Sequence, residues 1–451
     1  MNWKDLFSLD GNSLVVKEPS KLAGAMDSLI YDAVFTEDEE QRKSKFMMIK
    51  EACKEAGAYP ASIQELYEEM GRNYPGFTVP AMNIRGLTYD TSKAVFKKAM
   101  EMNVKAMIFE IARSEIGYTS QRPLEYATAV LAAAVATGYK GPVFIQGDHF
   151  QLVKKYYDSD STAETSYVLG LIKEAIEAEF YNIDIDSSTL VDLSRGALKE
   201  QQEPNFRATA ELAESIREME PQGITVSVGG EIGESGKANS TPEELRAYLD
   251  GFRETFKGRK GLSKLSVQTG TSHGGVVLPD GSLAQVKIDF DTLKTLSEVA
   301  RKDYGLSGCV QHGASTLPDE AFDMFPKTGT SEVHLATGFQ NIMYDNAALP
   351  GDFRNEVYDF IKKEFSKEWK EGQTEEQFLY KTRKKGFGPL KKKWWDLPKD
   401  VKGPIMGELS DKFGLLFDKL KVGNTAAIVE KTITNKPVRK ALPEEARTIL
   451  S

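Results

Sequence analysis

The sequence is poor in cysteine, histidine and tryptophan, with two, four and four of them in 451 residues. Two cysteines, Cys53 and Cys309, are too few for a disulfide framework or a thiolate metal cluster, and they point to a reducing compartment. Long hydrophobic runs are also missing. The longest purely apolar stretch, Ala129–Ala136, falls far short of the ~20 residues needed to span a bilayer. Positive charge is not in excess: 58 basic residues stand against 67 acidic ones, a net charge of -9. That argues against general nucleic-acid binding, although a local site can still attract an anion. There is no low-complexity tract and no internal repeat. The opening MNWKDLFSLD carries acids where a signal peptide needs basic and then apolar residues. The expectation is a soluble cytoplasmic protein with no membrane or nucleic-acid partner. At 40% hydrophobic and 28% charged residues, the composition is globular.

Residues 1–75 are polar and helix-like, with an amphipathic helix expected near Gln41–Ala56. Beyond them, short apolar runs alternate with longer amphipathic stretches. Eight strands are expected: Phe77–Ile84, Lys105–Ala112, Pro142–Asp148, Phe180–Asp186, Gly223–Glu231, Lys264–Thr271, Leu306–Gln311 and Ser331–Ala336. Helical patterns lie between them, among them Thr91–Asn103, Pro123–Thr137, Ala163–Glu177, Asn205–Met219 and Pro242–Phe256, the last opened by the capping signal Ser240-Thr241-Pro242-Glu243-Glu244. Strands alternating with helices call for parallel βαβ units. Eight units predict an α/β fold, a (β/α)8 barrel over 76–348, with an N-terminal helical extension over 1–75 and a charged C-terminal helical arm over 349–451. A doubly wound open sheet is the alternative.

All four histidines fall at or near the end of an expected strand: His149 after the third, His273 after the sixth, His312 after the seventh and His334 on the eighth. In a barrel that is the catalytic face. Three imidazoles on neighbouring strand ends suit a catalytic zinc with an open coordination position. Asp148, Asp184, Asp186 and Glu231 fall on the same face and offer further ligands, supporting hydrogen bonds or proton carriers. Each residue also has a plainer reading: a lone histidine is more often structural, and Asp148 could simply cap a strand end.

In their order along the chain, these motifs resemble the class II, metal-dependent fructose-bisphosphate and tagatose-bisphosphate aldolases, in a divergent long form. The matching segments run from Val79-Pro80-Ala81-Met82-Asn83-Ile84 through Asp148-His149, Asp184-Ile185-Asp186, Glu231-Ile232-Gly233, Gly270-Thr271-Ser272-His273-Gly274 and His312-Gly313-Ala314-Ser315 to about Tyr344. The resemblance implies a zinc held by His149, His273 and His312, with Glu231 or Asp186 as an alternative position, cobalt or manganese as substitutes and a monovalent cation as a companion. It implies Asp148 as the proton carrier on the C4 hydroxyl of a ketose bisphosphate, most simply fructose 1,6-bisphosphate. It places Asn83, Gly274, Gly275, Gly313, Ser315, His334 and Thr337 around the phosphorylated substrate. A homo-oligomer, dimer or tetramer, is the expected assembly.

Three positions depart from the family pattern. The loop after the fifth strand is short, with Asn239 where the family has a glutamate, so Glu234 becomes the candidate second proton carrier. After the eighth strand, His334 stands for an asparagine and Ala336 for an acid, and Val277 stands for a lysine. The arm carries a basic segment, Lys381, Arg383, Lys384, Lys385, Lys391, Lys392 and Lys393, read either as a solvated loop or as a source of phosphate contacts led by Arg383. Two other functions stay open on the same residues: a metal-dependent ketose-phosphate C4 epimerase or transaldolase-like enzyme, and a non-catalytic scaffold.

Overall fold

The structure, a computed structural model, describes residues 2–232, 238–270, 278–279 and 287–450. Eight parallel strands form a closed barrel: β1 (Val79–Asn83), β2 (Ile108–Ala112), β3 (Gly141–Gln151), β4 (Asn182–Asp186), β5 (Ser227–Glu231), β6 (Lys264–Val267), β7 (Cys309–Gln311) and β8 (Glu332–Leu335). Each pairs with the next, and β8 returns to β1 with Glu332 opposite Val79 and Leu335 opposite Met82. Closure rules out the open sheet. All eight expected strands are present, and all but the third are shorter than expected.

Helices such as Thr88–Glu101, Pro123–Thr137 and Ser161–Glu177 cover the strands, as the periodicity predicts. Helix Pro242–Thr255 starts with the expected capping box: Thr241 accepts from the Glu244 N–H, and the Glu244 carboxylate accepts from the Thr241 N–H. One helix differs. Expected from Asn205, it begins at Leu198 and runs through Pro204. Proline is tolerated in a first turn but ordinarily disfavoured further in, so the pattern before it reads as loop.

The N-terminal segment is more than helical. Phe7–Asp10 and Ser13–Val16 form an antiparallel hairpin, and Ala58–Ala61 adds a ninth strand, parallel to Gly141–Phe144 at the entry of β3. The Asn182 side chain clips that strand to the barrel, donating to the Ala61 and Ile145 carbonyls and accepting from the Ile63 N–H at 2.9 Å. Strands of four residues give too little alternation to be read from sequence.

The C-terminal arm spans both ends of the barrel. At the bottom, Thr425 Oγ1 accepts from the N–H groups of Lys105 and Ala106 at 3.1 Å, and Thr78 donates to the Leu420 carbonyl. At the top, the turn Arg383–Gly386 reaches the mouth, and Phe387 packs so close to Gly86 that a methyl there would sit 2.3 Å from its ring.

β3 carries the irregularity that matters most. Gly147 and Phe150 pair with Ile183 and Ile185 of β4, so β3 fits three steps where β4 takes two. This is a bulge, a device that bends a strand and re-aims its side chains. The bulged residues are Asp148 and His149, and His149 adopts the left-handed region at φ 42°. Such backbone is costly for a non-glycine residue and persists only when its surroundings enforce it. Gly147 makes the fold-back possible, because a Cβ there would lie 2.4 Å from the Phe150 ring. Gly147→Ala should therefore cost about 1–3 kcal/mol through overpacking. A lowered thermal midpoint checks this, and an unchanged midpoint would mean the bulge yields freely.

Candidate active site

Side chains two apart on a strand share a face. Gln146 with Asp148, Asp184 with Asp186, Lys264 with Ser266, and Glu332 with His334 therefore form matched pairs on four strands. These side chains are buried and meet inside the barrel, where they form two tiers.

The lower tier is an ion network. Lys264 Nζ lies 3.0 Å from Asp184 Oδ2, 2.5 Å from Glu332 Oε1 and 2.7 Å from Gln146 Oε1. Gln146 Nε2 donates to Glu110 Oε2 and Glu332 Oε1, both at 2.9 Å, and the Tyr67 hydroxyl donates to Glu332. Burial works against charge on Lys264, but Asp184 and Glu332 overcome it and raise its pKa. Asp184 is pushed up to about 6, by burial against the pull of Lys264. Glu110 is pushed up to about 7 by burial and by the Asp148 charge.

The upper tier is a row of imidazoles. The ring of His149 lies 4.2 Å from that of His312, which lies 4.1 Å from that of His334. His149 Nδ1 is 3.0 Å from Asp186 Oδ2 and 3.2 Å from Glu231 Oε2. His312 Nε2 is 3.0 Å from Ser266 Oγ. His334 Nε2 is 2.6 Å from Glu332 Oε1, and its Nδ1 is 3.2 Å from Asp148 Oδ1. Burial pushes the Glu231 carboxyl up to about 7, with Asp186 adding to the effect. Burial alone would lower the pKa of His149, but Asp148, Glu231 and Asp186 raise it well above the usual imidazole value.

These donors fit a divalent metal. The ligand atoms of Asp148, His149 and His312 lie within 4.8 Å of one another, and so do those of His149, Asp186 and Glu231. The two groups share His149, and each mixes imidazole nitrogen with carboxylate oxygen, the kind of set that zinc and its neighbours favour. His273, Gly274, Gly275 and Glu234 lie outside the described residues.

A cavity of about 540 Å³ opens above these tiers, lined by Asp148, His149, His312 and His334 together with a cationic wall. Asn83 lines it and donates to Asp148 Oδ2 at 3.4 Å. Gly313, Ser315 and Thr337 line it too, and Ser315 Oγ accepts from the Ala336 N–H at 2.7 Å. The cavity's cations are Arg85, Lys384 and Arg113, the last of which pairs with Glu164. Arg85 donates to Glu115 at 2.7 Å, to Gln340 at 2.9 Å and to Thr337 at 3.3 Å.

The basic segment needs a correction. Arg383, expected at the substrate, pairs with Asp345 and Asn341 and is absent from the cavity lining. Lys385, Lys391, Lys392 and Lys393 pair with Glu368, Glu125, Asp396 and Glu356. Lys384 is the member that lines the cavity. Burial, with Arg85 nearby, pushes its pKa down to about 8. The helical phase of a short turn decides which of three adjacent cations faces inward, and composition does not reveal it.

Sequence reasoning also passed over Arg85, Glu110, Lys264 and Glu332. A signal existed for the last three: each is a charged residue inside an otherwise apolar strand that helices cover on its outer face. Such a residue has only the barrel interior to point into.

The cavity imposes a pH dependence on the metal-free chain. Glu110 and Glu231 titrate near 7 when folded, against a usual 4.5, and Asp184 near 6 against 3.8. The folded state thus binds more protons between roughly pH 4 and 7, so stability falls as pH rises through that window. His149 and His334, raised in the fold, act in the same direction above pH 6.5. Asp186 and Glu332 are lowered in the fold and oppose this only at lower pH. Chelator-treated protein should have a higher urea midpoint at pH 5 than at pH 7.5, and the reverse order would mean the carboxylates are compensated in some other way.

Comparisons with known proteins bear on the fold and the family. Among solved structures, one described as a "probable tagatose 6 phosphate kinase" from Sinorhizobium meliloti 1021 superposes with a TM-score of 0.52 at 14% identity, covering 82% of this chain and 97% of that one. A fructose-bisphosphate aldolase from Campylobacter jejuni gives a TM-score of 0.49 at 17% identity, covering 82% and 97%. At 14% identity the first of these likenesses concerns the fold alone. No curated protein matches the chain. The family model described as fructose-bisphosphate aldolase class-II matches residues 62–386, the whole barrel and the turn that carries Lys384, and the chain belongs to that family.

Proposed function

We propose that the chain is a divalent-metal-dependent aldolase that reversibly cleaves a phosphorylated ketose, with a ketose bisphosphate such as fructose 1,6-bisphosphate giving dihydroxyacetone phosphate and glyceraldehyde 3-phosphate. The observation that carries this reading is that Asp148, 3.2 Å from His334 Nδ1, lines one cavity with His149, His312, Arg85 and Lys384. His149 and His312, with His273 from outside the described residues, would hold the metal. When bound, a divalent ion supplies Lewis-acid stabilisation of negative charge developing on the substrate's oxygens.

The chain's own groups do the rest. Asp148 takes the proton of the C4 hydroxyl as the C3–C4 bond breaks, and the Asn83 amide on Oδ2 orients its carboxylate. Arg85 and Lys384 draw a phosphate to one wall, and Thr337, Ser315 and Gly313 add polar contacts there. Carbon must be protonated after cleavage, and Glu234 is our candidate for that second proton. The competing reading, C4 epimerisation by cleavage and re-addition, draws on Ala336, which lines the cavity where the family carries an acid. Release of a triose phosphate from a sugar-phosphate panel, identified by NMR with and without chelator, separates the two.

Asp148→Asn keeps the shape and removes the base, so turnover should fall about 10²–10⁴-fold with zinc still bound to the histidines. Loss of that zinc would make Asp148 a supporting residue instead.

Lys384→Met should raise KM for a phosphorylated substrate, whereas Arg383→Met should affect stability and leave KM in place. The wild-type kcat/KM should fall as pH passes through about 8, where the Lys384 ammonium is lost, and Lys384→Arg should carry the plateau beyond pH 9. An unchanged KM for Lys384→Met at low salt would remove this residue from the site.

A further inference from the structure

The rim of the barrel mouth differs from one arc to the next. Ser315 and Thr337 follow β7 and β8, and Arg85 follows β1, so these groups suited to a phosphate share one arc. The arc after β2 and β3 is built of other chemistry. There a recess of about 520 Å³ shares Arg113, Tyr156 and Tyr167 with the main cavity and adds the carboxylates of Asp160 and Glu164. Arg113 directly follows β2, and the two tyrosines lie on the helices Lys154–Ser159 and Ser161–Glu177, which follow β3. Their rings are 56% and 54% exposed. The Arg113 guanidinium pairs with Glu164 at 2.5 Å, donates to the Gln151 carbonyl and sits over the Tyr167 ring, 4.4 Å from its centroid. Glu164 also accepts from the Val153 N–H at 2.8 Å, which ties the end of β3 to the helix carrying Tyr167. The platform is thus held in place before any ligand arrives. Among the described residues, the Tyr156 side chain has no hydrogen-bond, ring or cation partner. Ligand pockets hold roughly 300–1,000 Å³, so the main cavity of about 540 Å³ has room for a hexose bisphosphate and the recess is space beyond it.

We propose that this recess is a subsite for a neutral sugar ring at the end of the substrate away from the phosphate, so that a ketose phosphate carrying a glycosyl unit is a better substrate than the same ketose without one. The inference rests on the aldolase reading for the bond that breaks, and the recess contributes recognition alone. A sugar ring has a face of C–H groups and an edge of hydroxyls. The face buries its apolar area against an aromatic ring such as Tyr156, which carries no other contact. The edge meets carboxylate acceptors on Asp160 and Glu164 and hydroxyl donors on the tyrosines. Asp160 uses one oxygen on the Ala163 N–H at 3.0 Å, and its other oxygen remains for a ligand. Charge selects against a second phosphate here, because the recess offers two carboxylates and a single guanidinium that Glu164 already holds. Both arcs line one cavity, so a single extended ligand reaches Lys384 and Thr337 at one end and the tyrosines at the other.

The test compares fructose 1-phosphate with its 6-O-glucosyl derivative on the full-length chain supplied with zinc. Cleavage of the derivative gives dihydroxyacetone phosphate and a glucosylated glyceraldehyde. Wild-type kcat/KM should be about fivefold to tenfold higher for the glucosyl compound, the scale of one or two aromatic contacts, with the gain in KM. Tyr156→Ala and Tyr167→Ala should each move that ratio toward one, and Tyr156→Phe, which keeps the ring, should preserve it. Both tyrosines are exposed, so these variants leave the core untouched. Calorimetric titration with the same two compounds reads the recess without turnover. If neither compound is cleaved but the glucosyl compound binds more tightly, and the alanine variants abolish the difference, the recess stands and the aldolase reading falls. If both are cleaved with equal kcat/KM, or the alanine variants keep the wild-type ratio, the recess is overturned and the aldolase reading stands. Equal binding with no cleavage removes both. A changed mass by light scattering in the alanine variants, with an unchanged ratio, would make the tyrosines a contact between copies of the chain and overturn the subsite.

Discussion

Charge compensation inside the barrel is the constraint on which the rest of the structure depends. A buried carboxylate without a partner costs several kcal/mol, and this barrel encloses Glu110, Asp148, Asp184, Asp186, Glu231 and Glu332. Lys264 is the fixed cation among them, held at the floor by Asp184, Glu332 and Gln146. Everything above that floor is arranged around the surplus. The imidazoles lie in a row against carboxylates, and Glu110, Asp184 and Glu231 are pushed toward neutrality. Such an interior is suited to receiving cations.

Two features convert this interior into a directed site. The β3 bulge turns Asp148 and His149 so that successive residues serve different partners, Asp148 toward His334 and Asn83, His149 toward Asp186 and Glu231. An unbulged strand would send neighbours to opposite faces. The C-terminal arm supplies the opposite charge. Most of its basic residues are spent in ion pairs with the fold, and Lys384 reaches the mouth beside Arg85. Acid at the base and cation at the rim polarise the cavity, which suits an anionic sugar with hydroxyls at one end and phosphate at the other.

The barrel could be read from the sequence because its information is local. Short apolar runs, each followed by an amphipathic helix and each ending in small polar residues, specify a parallel unit without reference to its neighbours. The placement of His149, His312 and His334 on the catalytic face followed from the same counting. Strand 58–61, the passage of a helix through Pro204 and the extension of β3 past Asp148 were not accessible in that way. The first depends on Asn182 and Gly141–Phe144 and the last on β4, all distant in sequence.

What the sequence alone determined is therefore the fold class, the family and the residue types gathered at the strand ends, since all three rest on periodicity and motif order. Only the tertiary structure decided which charges meet. Glu110, Lys264 and Glu332 come from three strands far apart in the chain, and closure of the barrel brings them to one level. Arg383 and Lys384 are neighbours in sequence, yet one is tied to Asp345 and the other faces the cavity. A side chain's partner is set by the direction in which packed elements point it, and that direction is fixed only when distant segments lock together.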